Sequence, residues 1–251
     1  AVNHEAYDPE YHFNLAIDAG LSAFAAPLGL IETCASSYAG QIPLILKINS
    51  SNSLSRNSDA PTQAITGSIS EAIRLGCSAI GFTIYPGSDD SLNMISEIQE
   101  LAAEAKSHGL AVVVWSYPRG GNISKEGETA VDIVSYAAHM AALIGAHIIK
   151  VKPPTEFLED TNAKKVYVDN KIPISSLRDR IKNVVESCFQ GKRIVIFSGG
   201  SAKNTEGLLN EIREIYNGGG FGSIIGRNSF QRPKKEALVL LSQIIDIYKG
   251  K

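Results

Sequence analysis

Short apolar segments alternate along the chain with longer segments whose apolar residues recur at helical spacing. The short segments are continuous runs rich in Val and Ile, which is typical of strands buried on both faces of a parallel sheet. Seven such strands are predicted, at residues 22–27, 43–48, 79–84, 111–115, 147–151, 193–197 and 222–225. Alternating strands and helices predict an α/β fold.

Eight helices are predicted around these strands, at residues 8–19, 28–38, 68–75, 91–108, 128–144, 174–188, 203–216 and 233–248. A glycine stands between a helix and the next strand at five places: Gly20, Gly76, Gly109, Gly145 and Gly191. Glycine in that place lets a helix end in a left-handed turn and lead back into the sheet. No linker rich in Pro or Ser divides the chain, so residues 1–251 are predicted to form a single domain.

A TIM (β/α)8 barrel accounts best for this order of elements. Such a barrel has eight strands and eight helices in about 250 residues. Because the first predicted element is a helix, we expect the first barrel strand to be missing from the N-terminus of this chain, with long polar loops at 49–67 and 153–173 making up the length. An open doubly wound sheet is the alternative, but the glycine-rich dinucleotide turn that usually follows its first strand is absent from the sequence.

Composition and charge exclude several kinds of partner. The 24 basic and 26 acidic side chains leave a net charge of −2, which argues against binding to nucleic acid or to an anionic membrane. The three cysteines, Cys34, Cys77 and Cys188, lack the spacing of zinc ligands or of a disulfide framework, which favours a reducing cytoplasm. No apolar run reaches the length of about 18 residues that a membrane helix needs. No metal-binding or cofactor-binding motif is present, so we expect no cofactor.

Polar and charged residues crowd at the carboxyl ends of the predicted strands. In a parallel barrel, these ends and the loops that follow them form the active site. The residues at these ends include Lys47, Ser51, Tyr85, Trp115, Tyr117, Arg119, Lys150, Lys152, Ser198 and Arg227. A barrel with only a structural role would carry small polar turn residues there, so we expect an enzyme that acts on a small molecule.

The last two predicted strands end in a pattern typical of a phosphate cradle. Ser198, Gly199 and Gly200 open one helix, and Gly226 and Arg227 end the last strand. Glycine allows backbone N–H groups to approach an anion closely, and an arginine can bind two phosphate oxygens at once. Tight turns with a surface arginine are the alternative, but two matching halves on adjacent strands favour phosphate binding.

Lys150 lies inside an apolar strand, two residues before Lys152, so both side chains belong to the same face of the sheet. A lysine buried near another cation has a lowered pKa, as an amine nucleophile that forms a Schiff base requires. Two lysines whose tips reach solvent are an equally good explanation.

Trp115 and Tyr117 are likewise two residues apart, at the end of another predicted strand. A phenol whose pKa is lowered by a nearby cation could act as acid and base and an indole could orient a substrate, with core packing as the alternative for both.

Five sequence blocks occur together: IYPGS at 84–88, WSYPRGG at 115–121, IIKVK at 148–152, FSGGSA at 197–202 and IIGRNSFQR at 224–232. In this order they resemble the archaeal-type class I fructose-1,6-bisphosphate aldolases of the DhnA family, in particular their bacterial branch. The resemblance implies a TIM barrel and a metal-independent lyase of glycolysis and gluconeogenesis. This lyase cleaves fructose 1,6-bisphosphate reversibly to dihydroxyacetone phosphate and glyceraldehyde 3-phosphate. The resemblance also implies a homo-oligomer.

Roles for individual residues follow from the same resemblance. The Schiff-base lysine of the family falls on Lys150, its acid/base tyrosine on Tyr117 and its companion tryptophan on Trp115. Its phosphate cradle falls on Ser198, Gly199, Gly200, Gly226 and Arg227. Family members begin with a strand whose VDQG-like segment carries an active-site aspartate, and no such segment precedes Ala1 in this sequence.

The sequence thus predicts a class I fructose-bisphosphate aldolase in which Lys150 attacks the substrate carbonyl. Lys47, Ser51, Tyr85 and Arg119 are weaker candidates that would bind the other end of the substrate. A related Schiff-base aldolase or transaldolase-like enzyme that acts on another ketose phosphate is the first alternative. The second is a sugar-phosphate binding protein that has lost catalysis together with its first strand.

Overall fold

A parallel sheet forms the centre of the molecule. The structure is a computed structural model that describes residues 4–52, 54, 60–198 and 204–251. In chain order, its strands are β1 (Phe24–Pro27), β2 (Leu44–Lys47), β3 (Asn49–Ser50), β4 (Ala64–Ile65), β5 (Ala79–Ile84), β6 (Ala111–Ser116), β7 (Ile148–Val151), β8 (Ile194–Ser198) and β9 (Gly222–Ile224). Strands β3 and β4 pair with each other in antiparallel fashion, and the other seven form the sheet.

The seven strands of the sheet lie side by side in their chain order, β1-β2-β5-β6-β7-β8-β9, and every neighbouring pair is parallel. A doubly wound sheet reverses its strand order at a switch point, whereas consecutive order throughout is that of a barrel sheet. All seven strands predicted from the sequence are therefore confirmed. Within the described residues, β1 and β9 form the two edges of the sheet, as expected for a barrel without its first strand.

Helices connect the strands of the sheet. They are α1 (Pro9–Asp18), α2 (Leu28–Cys34), α3 (Ile69–Arg74), α4 (Ser91–Ser107), α5 (Val131–Leu143), α6 (Thr161–Asp169), α7 (Leu177–Ser187), α8 (Thr205–Asn217), α9 (Arg227–Phe230) and α10 (Lys234–Tyr248), with short 3₁₀ turns at His4–Tyr7 and Gly127–Thr129. The eight predicted helices correspond to α1–α5, α7, α8 and α10. Within the described ranges, no helix combines the length and the apolar character needed to cross a membrane.

Two regions predicted as long polar loops contain regular structure. Helix α6 lies within residues 153–173, and the β3–β4 pair lies within residues 49–67. None of the α6 residues is buried, so the helix leaves no apolar periodicity in the sequence. Its start is fixed by carboxylates instead: Asp160 accepts a hydrogen bond from the Ala163 N–H at 2.7 Å, and Asp132 accepts one from the Asp160 N–H at 2.9 Å.

The two faces of the sheet carry different side chains. The outer face packs against the helices through a continuous core that includes the fully buried Leu46, Phe82 and Ile149. The inner face has a smaller apolar cluster around Val113 and Trp115. Successive residues of a strand point to opposite faces. The inner position that follows this cluster towards the carboxyl end is therefore two residues further along each strand, as Lys47 follows Ile45 and Lys150 follows Ile148. These positions are largely polar, and they form the candidate active site.

The outer core supplies a test of the fold. Leu46→Ala is expected to lower the free energy of unfolding by about 2–5 kcal/mol, because it removes buried methyl groups and leaves a cavity. Leu92→Ala is the matched control: Leu92 is 75% exposed, and its truncation is expected to change stability by less than about 0.5 kcal/mol. Urea denaturation measures both, and equal effects of the two substitutions would contradict the assigned strand register.

Candidate active site

Lys150 lies at the centre of the inner face. The parallel register of β6 and β7 pairs Trp115 with Lys150, so the two side chains point into the barrel at the same level. The Lys150 side chain is buried, and its Nζ lies 5.7 Å from the ring centroid of Trp115 and 5.8 Å from that of Tyr117. Of the two predictions for this lysine, burial is therefore confirmed and a tip that reaches solvent is wrong.

Burial lowers the pKa of Lys150 from its ordinary value to about 8, because the apolar interior disfavours the ammonium form. Lys152 does not supply the expected neighbouring cation. Its Nζ lies 3.3 Å from a carboxylate oxygen of Glu128 and forms an ion pair with it. Lowering this pKa increases the fraction of Lys150 that is a neutral amine near neutral pH, which is the form that attacks a carbonyl.

The neighbouring cation comes from β2. Nζ of Lys47 lies 5.9 Å from the ring centroid of Trp115, so the same indole lies close to both Lys47 and Lys150. Burial, together with repulsion from Lys150, lowers the pKa of Lys47 to about 7. Lys47 also donates hydrogen bonds to two oxygens of Asn49, its backbone carbonyl and, at 2.6 Å, its side-chain Oδ1.

Trp115 occupies space that a glycine leaves open. A Cβ atom at Gly81 of β5 would lie 2.7 Å from Cη2 of the indole and closer still to Cζ3. Every larger residue at this position therefore displaces the ring. Glycine inside a strand is uncommon and often marks a close approach of this kind.

Tyr117 follows β6 and faces Lys150, but its acidity differs from the prediction. Burial raises the pKa of the Tyr117 phenol, and this effect outweighs the opposing effect of the Arg119 guanidinium. The expectation that a nearby cation would lower this pKa is therefore wrong. The resting side chain is a neutral phenol, which can donate a proton or a hydrogen bond.

Tyr85 and Arg119 stand together beside this centre. The Arg119 guanidinium lies 5.2 Å from the ring centroid of Tyr85, and the buried Tyr85 hydroxyl accepts a hydrogen bond from Nε2 of Gln63 at 2.6 Å. Both residues affect the pKa of Tyr117, so they lie close to it. Ser51, predicted as their companion, is exposed. The structure thus groups Lys47 with Lys150, and Arg119 with Tyr85.

The predicted phosphate cradle is only partly described. Ser198 ends β8, and the strand register pairs it with Ile224 of β9, two residues before Gly226. Arg227 is exposed and begins the short helix α9 rather than ending the strand. Gly199 and Gly200 lie outside the described residues. The two halves of the cradle are thus adjacent, and the roles of these five residues stay predictions.

The sequence analysis missed three residues of the site: Asn49, Gln63 and Gly81. Asn49 follows β2 two positions after Lys47, but nothing in the sequence shows that its side chain bonds to Thr83. Gln63 lies in a region predicted as loop. Gly81 could have been found, because a glycine in the middle of an apolar strand indicates a close approach.

A buried amine of lowered pKa, with a phenol beside it at the carboxyl end of a parallel barrel, defines a class of enzyme: a barrel lyase that forms a Schiff base with a carbonyl substrate. The chain belongs to the DeoC/LacD family of aldolases, whose family model matches residues 2–232.

Similar proteins agree with this class. The chain is 34% identical to the class 1 fructose-bisphosphate aldolase of Thermoproteus tenax, covering 99% of this chain and 83% of the relative. It is also 34% identical to the probable class 1 fructose-bisphosphate aldolase of Chlamydia muridarum, covering 99% of this chain and 74% of the relative.

Solved structures confirm the predicted TIM-barrel fold. A crystal structure of an archaeal fructose 1,6-bisphosphate aldolase matches with a TM-score of 0.82 at 33% identity and covers 99% of this chain and 86% of the other. A second archaeal fructose-1,6-bisphosphate aldolase matches with a TM-score of 0.81 at 32% identity, with the same coverage, and its catalytic Lys is covalently bound to the carbinolamine intermediate of the substrate.

The contact between Gly81 and Trp115 can be tested by fluorescence, because Trp115 is the only tryptophan of the chain. Gly81→Ala is expected to shift the tryptophan emission and to cost about 1–3 kcal/mol of stability, since the added methyl group overlaps the indole. Gly29→Ala is the control, because a Cβ at Gly29 meets nothing within 4 Å. An unchanged emission spectrum in Gly81→Ala would show that the indole does not lie against β5.

Proposed function

We propose that this protein is a class I fructose-bisphosphate aldolase with Lys150 as its Schiff-base lysine. The observation that carries the proposal is the position of Lys150: a buried amine of lowered pKa, on the inner face of the sheet, between two aromatic rings. The substrate is supported by the relatives, which are named as fructose-bisphosphate aldolases over nearly the whole of this chain.

The proposed reaction begins when the neutral amine of Lys150 attacks the C2 carbonyl and forms a carbinolamine. Loss of water gives an iminium ion, whose positive charge draws the electrons of the C3–C4 bond when the C4 hydroxyl loses its proton. The aldehyde product leaves, and an enamine remains on Lys150. Protonation of the enamine at C3 regenerates the iminium, which water hydrolyses to release the ketone product and the free amine.

Tyr117 fits the proton transfers because its resting form is the phenol. It first donates its proton to the hydroxyl that leaves the carbinolamine as water, and becomes a phenolate beside the newly formed iminium charge. The phenolate then takes the C4 hydroxyl proton, and the phenol delivers it to C3 of the enamine. Its second phenolate form takes a proton from the water that hydrolyses the iminium. Although burial raises the pKa of Tyr117, the phenolate arises only when Lys150 carries the opposite charge.

We further propose that the two phosphates bind on opposite sides of Lys150. One lies at the ends of β8 and β9, where Ser198, Gly199, Gly200, Gly226 and Arg227 supply backbone N–H groups and a guanidinium. The other is bound by Arg119, whose guanidinium is oriented by the ring of Tyr85. Trp115 forms the wall against which the reacting carbons lie, and Ser51 is a peripheral contact at most, since it is exposed.

A second candidate is a related aldol reaction on another ketose phosphate. A relative from Methanocaldococcus jannaschii, 32% identical over 95% of this chain, is named as a fructose-bisphosphate aldolase and a 6-deoxy-5-ketofructose 1-phosphate synthase. This relative is thus named for two activities. Comparing cleavage rates of fructose 1,6-bisphosphate and fructose 1-phosphate separates the two candidates, because only the bisphosphate engages both phosphate sites.

We also propose a single-domain homo-oligomer of the cytoplasm. Exposed apolar side chains on α5 and α6, namely Tyr136, Leu143 and Val168, support an interface between copies. The three cysteines are free and buried, which supports a reducing compartment. Light scattering of the purified protein tests the oligomeric state.

The Schiff base can be trapped directly. Borohydride reduction in the presence of dihydroxyacetone phosphate is expected to leave one stable adduct on the protein, which peptide mass spectrometry places on Lys150. Lys150→Met should abolish the adduct, whereas Lys152→Met should retain it, because the Lys152 ammonium is paired with the Glu128 carboxylate. An adduct on Lys152 alone would contradict the assignment.

Tyr117→Phe separates imine formation from carbon–carbon cleavage. Removal of the phenol is expected to lower kcat for fructose 1,6-bisphosphate cleavage by about 10²–10⁴-fold, the usual contribution of a positioned acid and base. Borohydride trapping should still place dihydroxyacetone phosphate on Lys150, at a reduced rate. A cleavage rate within a factor of about two of wild type would show that another group moves the protons.

A further inference from the structure

The inner face of the barrel holds two amines where the proposed reaction uses one. Lys47 and Lys150 come from β2 and β7, and Nζ of each lies within 6 Å of the Trp115 ring centroid. Within the described part of the chain, neither amine forms an ion pair with a carboxylate. Two such groups in one buried space repel each other when both are charged, so they bind protons as a coupled pair.

Asn49 accepts hydrogen bonds from Lys47, whereas Lys150 faces aromatic rings. Its buried side chain is fixed to the backbone of Thr83, since Nδ2 donates to the Thr83 carbonyl at 2.9 Å and Oδ1 accepts from the Thr83 N–H at 2.8 Å. The same Oδ1 and the Asn49 backbone carbonyl accept hydrogen bonds from Nζ of Lys47. Lys150, in contrast, faces the rings of Trp115 and Tyr117.

These contacts decide where the proton of the pair resides. Burial together with repulsion from Lys150 lowers the pKa of Lys47 to about 7, and burial lowers that of Lys150 to about 8; these effects alone would leave the proton on Lys150. Two oxygens that accept hydrogen bonds from an ammonium group act in the opposite direction and favour the charged form of Lys47. Because Asn49 provides both oxygens, we take this contribution to be the larger one.

We propose that Lys47, held by Asn49, is a positioning residue of the aldolase reaction: it carries the proton of the pair and thereby leaves Lys150 as the free amine that attacks the substrate. The proposal rests on the proposed function, because it assigns Lys47 a role through the Schiff-base lysine. It differs from the prediction that Lys47 binds the other end of the substrate, since Lys47 here acts without touching the phosphate.

Other charged or titratable groups near the pair come from three strand ends and one 3₁₀ turn. They are Tyr85 after β5, Tyr117 and Arg119 after β6, and Lys152 with its partner Glu128. Strands β1, β8 and β9 contain no charged residue in their described spans. None of these groups is changed in the variants below, so a shift caused by Lys47 can be compared with wild type in the same surroundings.

The test measures the pH dependence of borohydride trapping with dihydroxyacetone phosphate as the probe, in two variants of one residue. Lys47→Gln removes the charge but keeps a polar side chain, and is expected to raise the pH midpoint for adduct formation on Lys150 by about half a unit or more, or about threefold in the fraction of free amine. Lys47→Arg keeps a permanent cation, and its midpoint is expected to stay at or below that of wild type. Circular dichroism and Trp115 fluorescence confirm that both variants are folded.

A third variant tests the part played by Asn49. Asn49→Ala should raise the midpoint in the wild-type background and cause no further rise in the Lys47→Gln background, because its effect passes through Lys47. If Asn49→Ala does not fold, the contrast between Gln and Arg at position 47 still decides the proposal.

The outcomes are distinct. Trapping that falls by the same factor at every pH, with no shift of the midpoint in Lys47→Gln, would overturn this inference and leave Lys47 as a substrate contact. A midpoint that rises equally in Lys47→Gln and Lys47→Arg would also overturn it, since charge would then not be the cause. Absence of any adduct in the wild-type protein would overturn the proposed function itself.

Discussion

Burial of the Lys150 amine is the constraint on which the candidate active site depends. An ammonium group in apolar surroundings is costly unless it is paired or loses its proton. The sheet provides no carboxylate partner at this level in its described residues, and offers the faces of Trp115 and Tyr117 instead. The position therefore favours a neutral amine, and the interaction that makes Lys150 expensive to bury also makes it reactive. The stability of the fold and the chemistry of the site thus oppose each other at this residue.

The same low-polarity surroundings act on the neighbouring groups in ways that fit one reaction. They keep Tyr117 as a phenol, which can donate its proton when the carbinolamine loses water. The iminium charge that forms beside it then stabilises the phenolate. They also couple Lys47 to Lys150, and the carbonyl and amide oxygens of Asn49 determine which amine is charged. The indole of Trp115 lies beside both amines only because Gly81 has no side chain. One packing arrangement therefore fixes the positions of nucleophile, acid and neighbouring charge.

The sequence predicts most of the fold because barrel strands and helices are local patterns. Seven apolar runs and eight amphipathic segments predict the order of strands and helices along the chain. Helix α6 is not predicted, because none of its residues is buried. That Lys150, Tyr117 and Trp115 lie together at the carboxyl end of the barrel follows from their positions at the ends of predicted strands. The contact of Asn49 with Thr83 joins residues 34 positions apart, and Lys47 and Lys150 repel each other from strands that are not neighbours in the sheet. The raised pKa of Tyr117 depends on burial, which no sequence spacing reveals.

Competitive acetylation of the lysines across a pH series, followed by peptide mass spectrometry, tests the central claim most directly, because only the neutral amine reacts. Exposed lysines of the same chain provide the internal reference, since a lysine amine in water has a pKa of about 10.4. The account predicts a midpoint of about 8 or lower for Lys150 in the free protein, and protection of Lys150 when dihydroxyacetone phosphate is present. A midpoint for Lys150 that coincides with that of the exposed lysines would contradict the account.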